Sequence, residues 1–299
     1  MHDSIGRQAP ESDGQYPAVP LVALDTLWFQ VAGTLCNLKC THCFISCSPT
    51  NHSHEMLTLE QVRERLREAI PLGVREYYFT GGEPFMVPDI LAMIDESLRQ
   101  GPVSVLTNGL LLTPERCRKL KTISEAGEYS FDVRISIDGY TAEVNDPIRG
   151  AGTFEKILAG IHHLADAGLN PVVTVTEACA EAASAEGRAK FLEWMRSIGL
   201  TRPRLKILSL FRIGAEEQRL RAYESWESLR GRVLTGEEAE KLQCSSCRMV
   251  TSRGVYVCPI LLDEPEALMG NRLAETLRPF ALRYNACFTC HEYGVTCRT

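Results

Sequence analysis

Six short β-rich runs alternate with helical stretches between residues 26 and 210. Gly, Pro or polar residues bound each run, as is typical of strands. Regular alternation of strands and helices predicts parallel pairing with right-handed crossovers. We therefore predict an α/β fold: a partial (β/α)6 parallel barrel with a small, cysteine-rich α+β extension at the C-terminus. The predicted strands are residues 26–31, 76–80, 103–107, 131–137, 172–176 and 205–210.

Two of the intervening helices carry specific sequence signals. Thr58 and Gln61 match a capping box, which predicts a helix that runs to about Pro71. After Thr153, apolar residues recur at helical spacing and predict one buried face. In folds built this way the reactive groups gather at the carboxyl ends of the strands. Polar motifs are therefore expected there.

Composition divides the chain into three parts. Residues 1–25 contain no apolar run, so we expect an N-terminal segment that is not a signal peptide. Residues 26–212 hold the predicted barrel. Residues 213–299 begin as a charged stretch, expected to form a helical linker, and continue as the cysteine-rich extension.

Charge and hydropathy narrow the class of partner. The net charge is −6. Such acidity argues against binding to nucleic acid, because the phosphate backbone of nucleic acid is also negatively charged. No apolar run approaches the roughly 20 residues of a membrane span. We therefore expect a cytoplasmic protein whose partners include neither a membrane nor nucleic acid.

The 12 cysteines are concentrated near the two ends of the chain. A reducing cytosol disfavours disulfides, so clustered thiols indicate metal or redox chemistry. Cys36, Cys40 and Cys43 directly follow the first predicted strand. Three thiolates suit an iron–sulfur cluster with one open iron, whereas structural zinc needs a fourth ligand, which His42 or Cys47 offers. The spacing alone leaves both readings open.

Three further motifs follow the next three predicted strands. They read TGGEP at 80–84, LTNG at 106–109 and SIDG at 136–139. In this order after the cysteine motif, they resemble the radical S-adenosylmethionine (AdoMet) superfamily over about residues 26–210. The resemblance implies that Cys36, Cys40 and Cys43 ligate a [4Fe–4S] cluster whose fourth iron is chelated by the methionine portion of AdoMet.

The same resemblance implies the contacts of AdoMet. His42 stands where the family usually has an aromatic residue near the adenine. Gly81 and Gly82 would let backbone groups approach the methionine ammonium group, with Glu83 holding the loop. The other implied contacts are Thr107 and Ser136 and, in second rank, Asn108 and Asp138.

The implied cofactors also set the implied reaction. The reduced cluster passes one electron to AdoMet, which breaks into methionine and a 5′-deoxyadenosyl radical, and this radical takes a hydrogen atom from an unactivated carbon. The substrate is expected to be a small molecule or a peptide that is oxidised, epimerised, cross-linked or rearranged. An electron donor of the reductase, flavodoxin or ferredoxin type is expected as a partner.

The C-terminal cysteines resemble the twitch or SPASM-like extension found in that superfamily. The resemblance implies one auxiliary [4Fe–4S] cluster, because the tail has too few thiols for the two clusters of a full SPASM domain. Residues 253–259 read as the second strand of a hairpin ending at Cys258. The expected ligands are Cys258, Cys287 and Cys290, with the fourth drawn from Cys244, Cys247 and Cys297.

Two other functions stay open at this point. Paired Cys-x2-Cys motifs are also a zinc signature, so structural zinc at both cysteine groups would make the chain a non-catalytic metal-binding module. A radical enzyme that modifies RNA is the other alternative, although no basic, aromatic-laced stripe supports it. The polar strand ends favour an enzyme over the module.

Overall fold

The fold is described for residues 15–294 in a computed structural model. The strands are β1 (Ala18–Val19), β2 (Thr26–Gln30), β3 (Glu76–Thr80), β4 (Val103–Thr107), β5 (Phe131–Ser136), β6 (Val172–Thr176), β7 (Arg204–Leu208), β8 (Cys247–Thr251), β9 (Gly254–Tyr256), β10 (Leu268–Gly270) and β11 (Phe280–Ala281). The α-helices are α1 (Leu59–Leu72), α2 (Ile90–Leu98), α3 (Pro114–Ala126), α4 (Ala142–Arg149), α5 (Thr153–Asp166), α6 (Ala185–Ser197), α7 (Ala215–Arg219), α8 (Gly236–Lys241) and α9 (Asn285–Tyr293).

Strands β2 to β7 lie side by side in chain order, and every neighbouring pair is parallel. Each strand begins and ends within two residues of its predicted limits. Apolar side chains of the strands pack against helices α1 to α6 in one continuous core. The predicted partial parallel barrel is therefore confirmed.

Helix α1 begins and ends at local sequence signals. Thr58 Oγ1 accepts from the backbone N–H of Gln61 at 3.2 Å, and Gln61 Oε1 accepts from that of Thr58 at 2.8 Å, as the predicted capping box requires. The helix ends at Gly73, whose φ of 74° closes the last turn. Across residues 15–294, no helix has the length and apolar character of a membrane span.

The C-terminal extension continues the barrel sheet. Strand β8 lies parallel to β2, with Thr26 opposite Cys247, and the antiparallel hairpin β8–β9 confirms the predicted one. Its second strand ends at Tyr256, two residues before Cys258. The described part of the N-terminal segment joins this extension, because β1 pairs with β11.

The expected helical linker is wrong in part. Only α7 and α8 are helical in residues 213–242, and the stretch between them is irregular. Tertiary contacts hold that stretch: buried Glu227 accepts hydrogen bonds from Arg212 and Arg221, and the Tyr223 hydroxyl lies 2.6 Å from Thr289 Oγ1. The charged composition therefore reflects a network of ion pairs instead of a solvated helix.

Candidate functional site

A cavity opens at the carboxyl ends of the parallel strands. The volume inside the cavity is about 230 Å³, and it rises to about 1300 Å³ when the open mouth is counted. The first figure lies just below the roughly 300–1,000 Å³ of an ordinary small-molecule pocket. The predicted site residues on its wall are Cys36, Cys40, His42, Cys43, Gly81, Gly82, Thr107, Asn108 and Ser136. The buried side chains of Glu83 and Asp138 lie behind that wall.

The three cysteines lie on the loop that follows β2, and donors surround their sulfurs. The backbone N–H of Leu38 and the Asn108 side-chain amide donate to Cys36 Sγ at 3.4 and 3.6 Å. The backbone N–H of Cys47 donates to Cys43 Sγ at 3.2 Å. Hydrogen bonds to sulfur stabilise thiolates and tune iron–sulfur clusters. The donor set on this wall therefore fits a thiolate-ligated cluster.

The pKa values of Cys36 and Cys43 are shifted in opposite directions. Burial raises the pKa of Cys36 to about 12. Hydrogen bonding from the Cys47 thiol lowers the pKa of Cys43 to about 6. Because metal ligation requires thiolates, loading this loop would release a proton from Cys36.

The glycine pair packs the TGGEP loop against the cysteine loop. The N–H groups of Gly82 and Glu83 donate to the carbonyls of Gly33 and Leu35 at 2.8 and 3.1 Å. A Cβ on Gly82 would lie 1.9 Å from the Leu35 carbonyl oxygen. Contact with the protein's own backbone is thus what requires glycine at 82, whereas the sequence suggested close approach to a ligand.

We expect Gly82→Ala to lower the free energy of unfolding by about 1–3 kcal/mol, because the two loops must separate to admit the methyl group. Urea denaturation followed by circular dichroism measures the change. Gly236→Ala is the control, since its added methyl group meets nothing within 4 Å. Equal stability of the two variants would contradict the close packing of the loops.

Glu83 ties the TGGEP loop to the end of β4. Its fully buried carboxylate accepts hydrogen bonds from the Phe85 N–H at 3.0 Å, the Thr107 hydroxyl at 2.7 Å and the Asn108 N–H at 2.8 Å. Burial raises the pKa of Glu83, and these donors oppose the rise. The Thr107 hydroxyl proton is therefore engaged within the protein. Ser136 has no side-chain hydrogen bond within residues 15–294 and lines the cavity.

Asp138 organises a buried polar cluster beside the cysteines. Its Oδ2 lies 2.5 Å from His42 Nε2 and 2.7 Å from Arg149 Nε, and its Oδ1 accepts from the Thr176 hydroxyl at 2.6 Å. Burial alone would raise the pKa of Asp138, but the charges of Arg149 and His42 outweigh it and hold the pKa below its ordinary range. Asp138 is thus an anion that orients His42 at the cavity wall.

A second, much smaller cavity, of about 20 Å³, lies at the base of the β8–β9 hairpin. Apolar side chains such as Leu242, Phe280 and Leu282 line most of it. Cys247 is not on the wall of this cavity, and its thiol donates to the Val257 carbonyl oxygen at 4.0 Å. Cys297 lies outside the described residues. The thiols on its wall are Cys244, Cys258, Cys287 and Cys290.

Burial is the main cause of the raised pKa values in this second group of thiols. It raises the pKa of Cys244 to about 12 and that of Cys287 well above its ordinary value. In residues 15–294, no three His, Cys, Asp or Glu side chains are grouped as ligands of a single ion. A four-iron cluster places one thiolate on each iron, so its ligands need not converge on one point.

Sequence reasoning missed several residues of the main cavity. Arg149, at the end of α4, forms a buried ion pair with Asp138 and also lines the cavity. Met249, Ile260 and Leu262 reach the cavity from the C-terminal extension. No local pattern marks these three residues, because their position depends on the pairing of β8 with β2.

The comparisons with known proteins agree with this geometry. Mycofactocin maturase MftC from Mycobacterium tuberculosis is 37% identical over 134 residues, 44% of this chain and 32% of the relative. MftC from Mycolicibacterium smegmatis is 30% identical over 267 residues, 80% of this chain and 65% of the relative. A GTP 3′,8-cyclase from Peptoclostridium acidaminophilum is 34% identical over 141 residues, 46% of this chain and 42% of the relative. The chain thus spans less than two thirds of each.

A solved structure and a family model complete the comparison. The structure of anSMEcpe with bound AdoMet and Cp18Cys peptide has a TM-score of 0.60 at 17% identity, covers 91% of this chain and 84% of its own, and shows the same fold. The model of the radical SAM superfamily matches residues 31–178, from the end of β2 to just beyond β6. Residues 31–178 of the chain therefore form a radical SAM superfamily domain.

Proposed function

We propose that the chain reductively cleaves AdoMet and abstracts hydrogen from a small molecule or a peptide. The observation that carries this proposal is the placement of Cys36, Cys40 and Cys43 on one wall of the strand-end cavity, with N–H donors to two of their sulfurs. When bound there, a reduced four-iron cluster supplies the electron that splits AdoMet and so generates a hydrogen-abstracting radical.

The chain's own residues would position and shield this chemistry. Asp138 holds His42 and Arg149 at the cavity wall, and Asn108 donates to Cys36 Sγ. Phe211 and apolar side chains of the C-terminal extension form further parts of the cavity wall. A dry, apolar cover excludes water, which would otherwise quench a reactive intermediate.

The substrate class rests on the open cavity and on the relatives. The mouth of the cavity is open to solvent, which gives a second molecule access to the cysteine loop. Relatives are named as a mycofactocin maturase and a GTP 3′,8-cyclase, and one structural neighbour holds a peptide. These names support a peptide or a small molecule as substrate, with a reductase, flavodoxin or ferredoxin as the electron donor.

We also propose one auxiliary [4Fe–4S] cluster in the second cavity. Four thiols on one apolar wall supply a complete ligand set, which favours Cys244 over Cys247 as the fourth ligand. Full ligation by protein leaves no iron for the substrate, so the cluster would serve electron transfer.

The proposed activity is tested by 5′-deoxyadenosine formation. The chain is reconstituted anaerobically with iron and sulfide, reduced with dithionite and mixed with AdoMet, and the products are quantified by liquid chromatography. We expect 5′-deoxyadenosine and methionine in equal amounts. A reconstituted, iron-loaded chain that forms neither product would contradict the proposal.

Single cysteine variants test the auxiliary ligands. We expect Cys287→Ala to lose up to about four irons per chain, because it removes one of four ligands from a buried cluster. Cys247→Ala is the matched control and is expected to keep them, since Cys247 does not line the cavity. Loss of iron from the control with retention in Cys287→Ala would reverse the assignment.

A further inference from the structure

Arg248, on β8, is the largest side chain that is fully buried in the described fold. Its guanidinium group donates only to backbone carbonyls. Nη1 donates to Cys244 and Cys247 at 2.9 and 2.6 Å, and Nε donates to Thr276 at 3.0 Å. Nη2 donates to Thr276 and Arg278 at 2.8 and 3.2 Å. Every nitrogen of the group is thus hydrogen-bonded.

These bonds satisfy the donors of Arg248 but leave its charge uncompensated. In residues 15–294, no carboxylate lies within salt-bridge distance of it, in contrast to Arg149, which pairs with Asp138. A guanidinium group stays protonated even when buried. A buried charge is costly unless an opposite charge lies near it. Some other group should therefore supply negative charge here.

The auxiliary cavity is the neighbouring place where negative charge would arise. Arg248 binds the carbonyl of Cys244, whose thiol lines that cavity. On its other side Arg248 binds the carbonyl of Arg278, two residues before Phe280, which also lines the cavity. The guanidinium group thus joins two segments of the cavity wall. The apolar lining screens a charge there only weakly.

We propose that Arg248 is the fixed positive charge that balances the thiolate-ligated auxiliary cluster and raises its reduction potential. This inference rests on the proposed auxiliary cluster. Four thiolates give such a cluster a net negative charge, and reduction adds one more. A nearby immobile cation stabilises the reduced form more than the oxidised form, because net charge and nearby hydrogen bonds set cluster potentials.

The test isolates the auxiliary cluster by placing each variant in a chain with Cys36, Cys40 and Cys43 changed to Ala. An electron paramagnetic resonance titration against solution potential then gives the midpoint of the remaining cluster. We expect Arg248→Met and Arg248→Gln to lower the equilibrium constant for reduction at least tenfold, about 59 mV for one electron. Arg248→Lys, which keeps the charge, is expected to stay within a few-fold of the parent.

Arg278→Met is the matched control, because it removes the same charge from an exposed position near the same cavity wall. Solvent screening should hold its effect within about twofold. Equal midpoints in the parent chain and in Arg248→Met or Arg248→Gln would overturn the role of Arg248 while leaving the auxiliary cluster in place. A parent chain without iron would overturn the cluster itself, and this inference with it.

Folding of the metal-free variants separates charge balance from a structural role. Arg248→Met and Arg248→Gln are expected to unfold cooperatively without iron, since their loss is confined to hydrogen bonds with four carbonyl groups. If neither folds without iron, Arg248 is needed in the absence of any cluster and the proposal is wrong. If both variants fold but only the parent chain and Arg248→Lys load the cluster, a requirement for positive charge at position 248 is supported directly.

Discussion

Changing Cys36, Cys40 and Cys43 together to Ala is expected to leave about four irons per chain after anaerobic reconstitution, against about eight in the unaltered chain. The three thiols line one cavity, and the second set of four lies in another, so losing the first set should not empty the second. AdoMet cleavage should fall to the level of a protein-free control, because no other described thiol set lies at the strand ends.

Iron and acid-labile sulfide analysis measures this outcome, and chromatography of 5′-deoxyadenosine measures cleavage. Cys117→Ala combined with Cys179→Ala is the control, because both thiols are buried away from the two cavities. About four irons in the unaltered chain, none in the variant and zinc in both would mean that the C-terminal thiols hold structural zinc. No iron in the unaltered chain would contradict the radical chemistry.

Asp138→Asn is expected to lower the free energy of unfolding by about 3–5 kcal/mol at neutral pH, the usual cost of breaking one partner of a buried ion pair. The change leaves Arg149 buried with no carboxylate at 2.7 Å and removes the anion that faces His42. Urea denaturation of the metal-free protein measures it. Asp132→Asn is the matched control on β5, the strand just before Asp138, because Asp132 pairs with the partly exposed Arg204. It should cost about 1 kcal/mol or less.

The stability difference caused by Asp138→Asn has a defined pH dependence. The native pKa of Asp138 lies below its ordinary value, because Arg149 and His42 overcome the effect of burial. A depressed carboxyl pKa contributes stability above the unfolded pKa of about 3.9 and loses it as the pH falls further. The two proteins should therefore differ in stability above about pH 5 and converge as the pH falls below about 4. A difference that grows on acidification would mean that the Asp138 carboxyl is protonated in the native state.

Much of the barrel was predictable because its signals are local. The apolar run at Thr26–Gln30 and the Thr58 and Gln61 pair each form the expected element within a few residues of sequence. Cys36, Cys40 and Cys43 likewise lie close together in the chain, so the sequence already places them on one loop. Such features depend on neighbours in the chain, which a sequence displays directly.

Which of Cys244 and Cys247 lies on the wall of the second cavity was not predictable, for a physical reason. Cys244 and Cys247 are three residues apart, but the first lies on a short turn and the second begins β8. Which thiol faces the cavity depends on where pairing with β2 starts, and that pairing joins residues more than 200 positions apart. Arg149 and Arg248 have partners much nearer in the chain, at Asp138 and Thr276, but a sequence does not show that these groups are buried. Their surroundings form only when the sheet does.

The place of β8 beside β2 changes how the protein should be dissected. A fragment ending near residue 212 would strip β2 of one hydrogen-bonded neighbour along Thr26 to Phe29. The exposed edge would then be open to pairing with other chains. Insoluble truncations would therefore say nothing about catalysis. Because β8 and β2 belong to one continuous sheet, the backbone between the two cysteine groups is held in place. Electron transfer between clusters bound at the two groups would therefore cover a constant distance and would not require a domain motion.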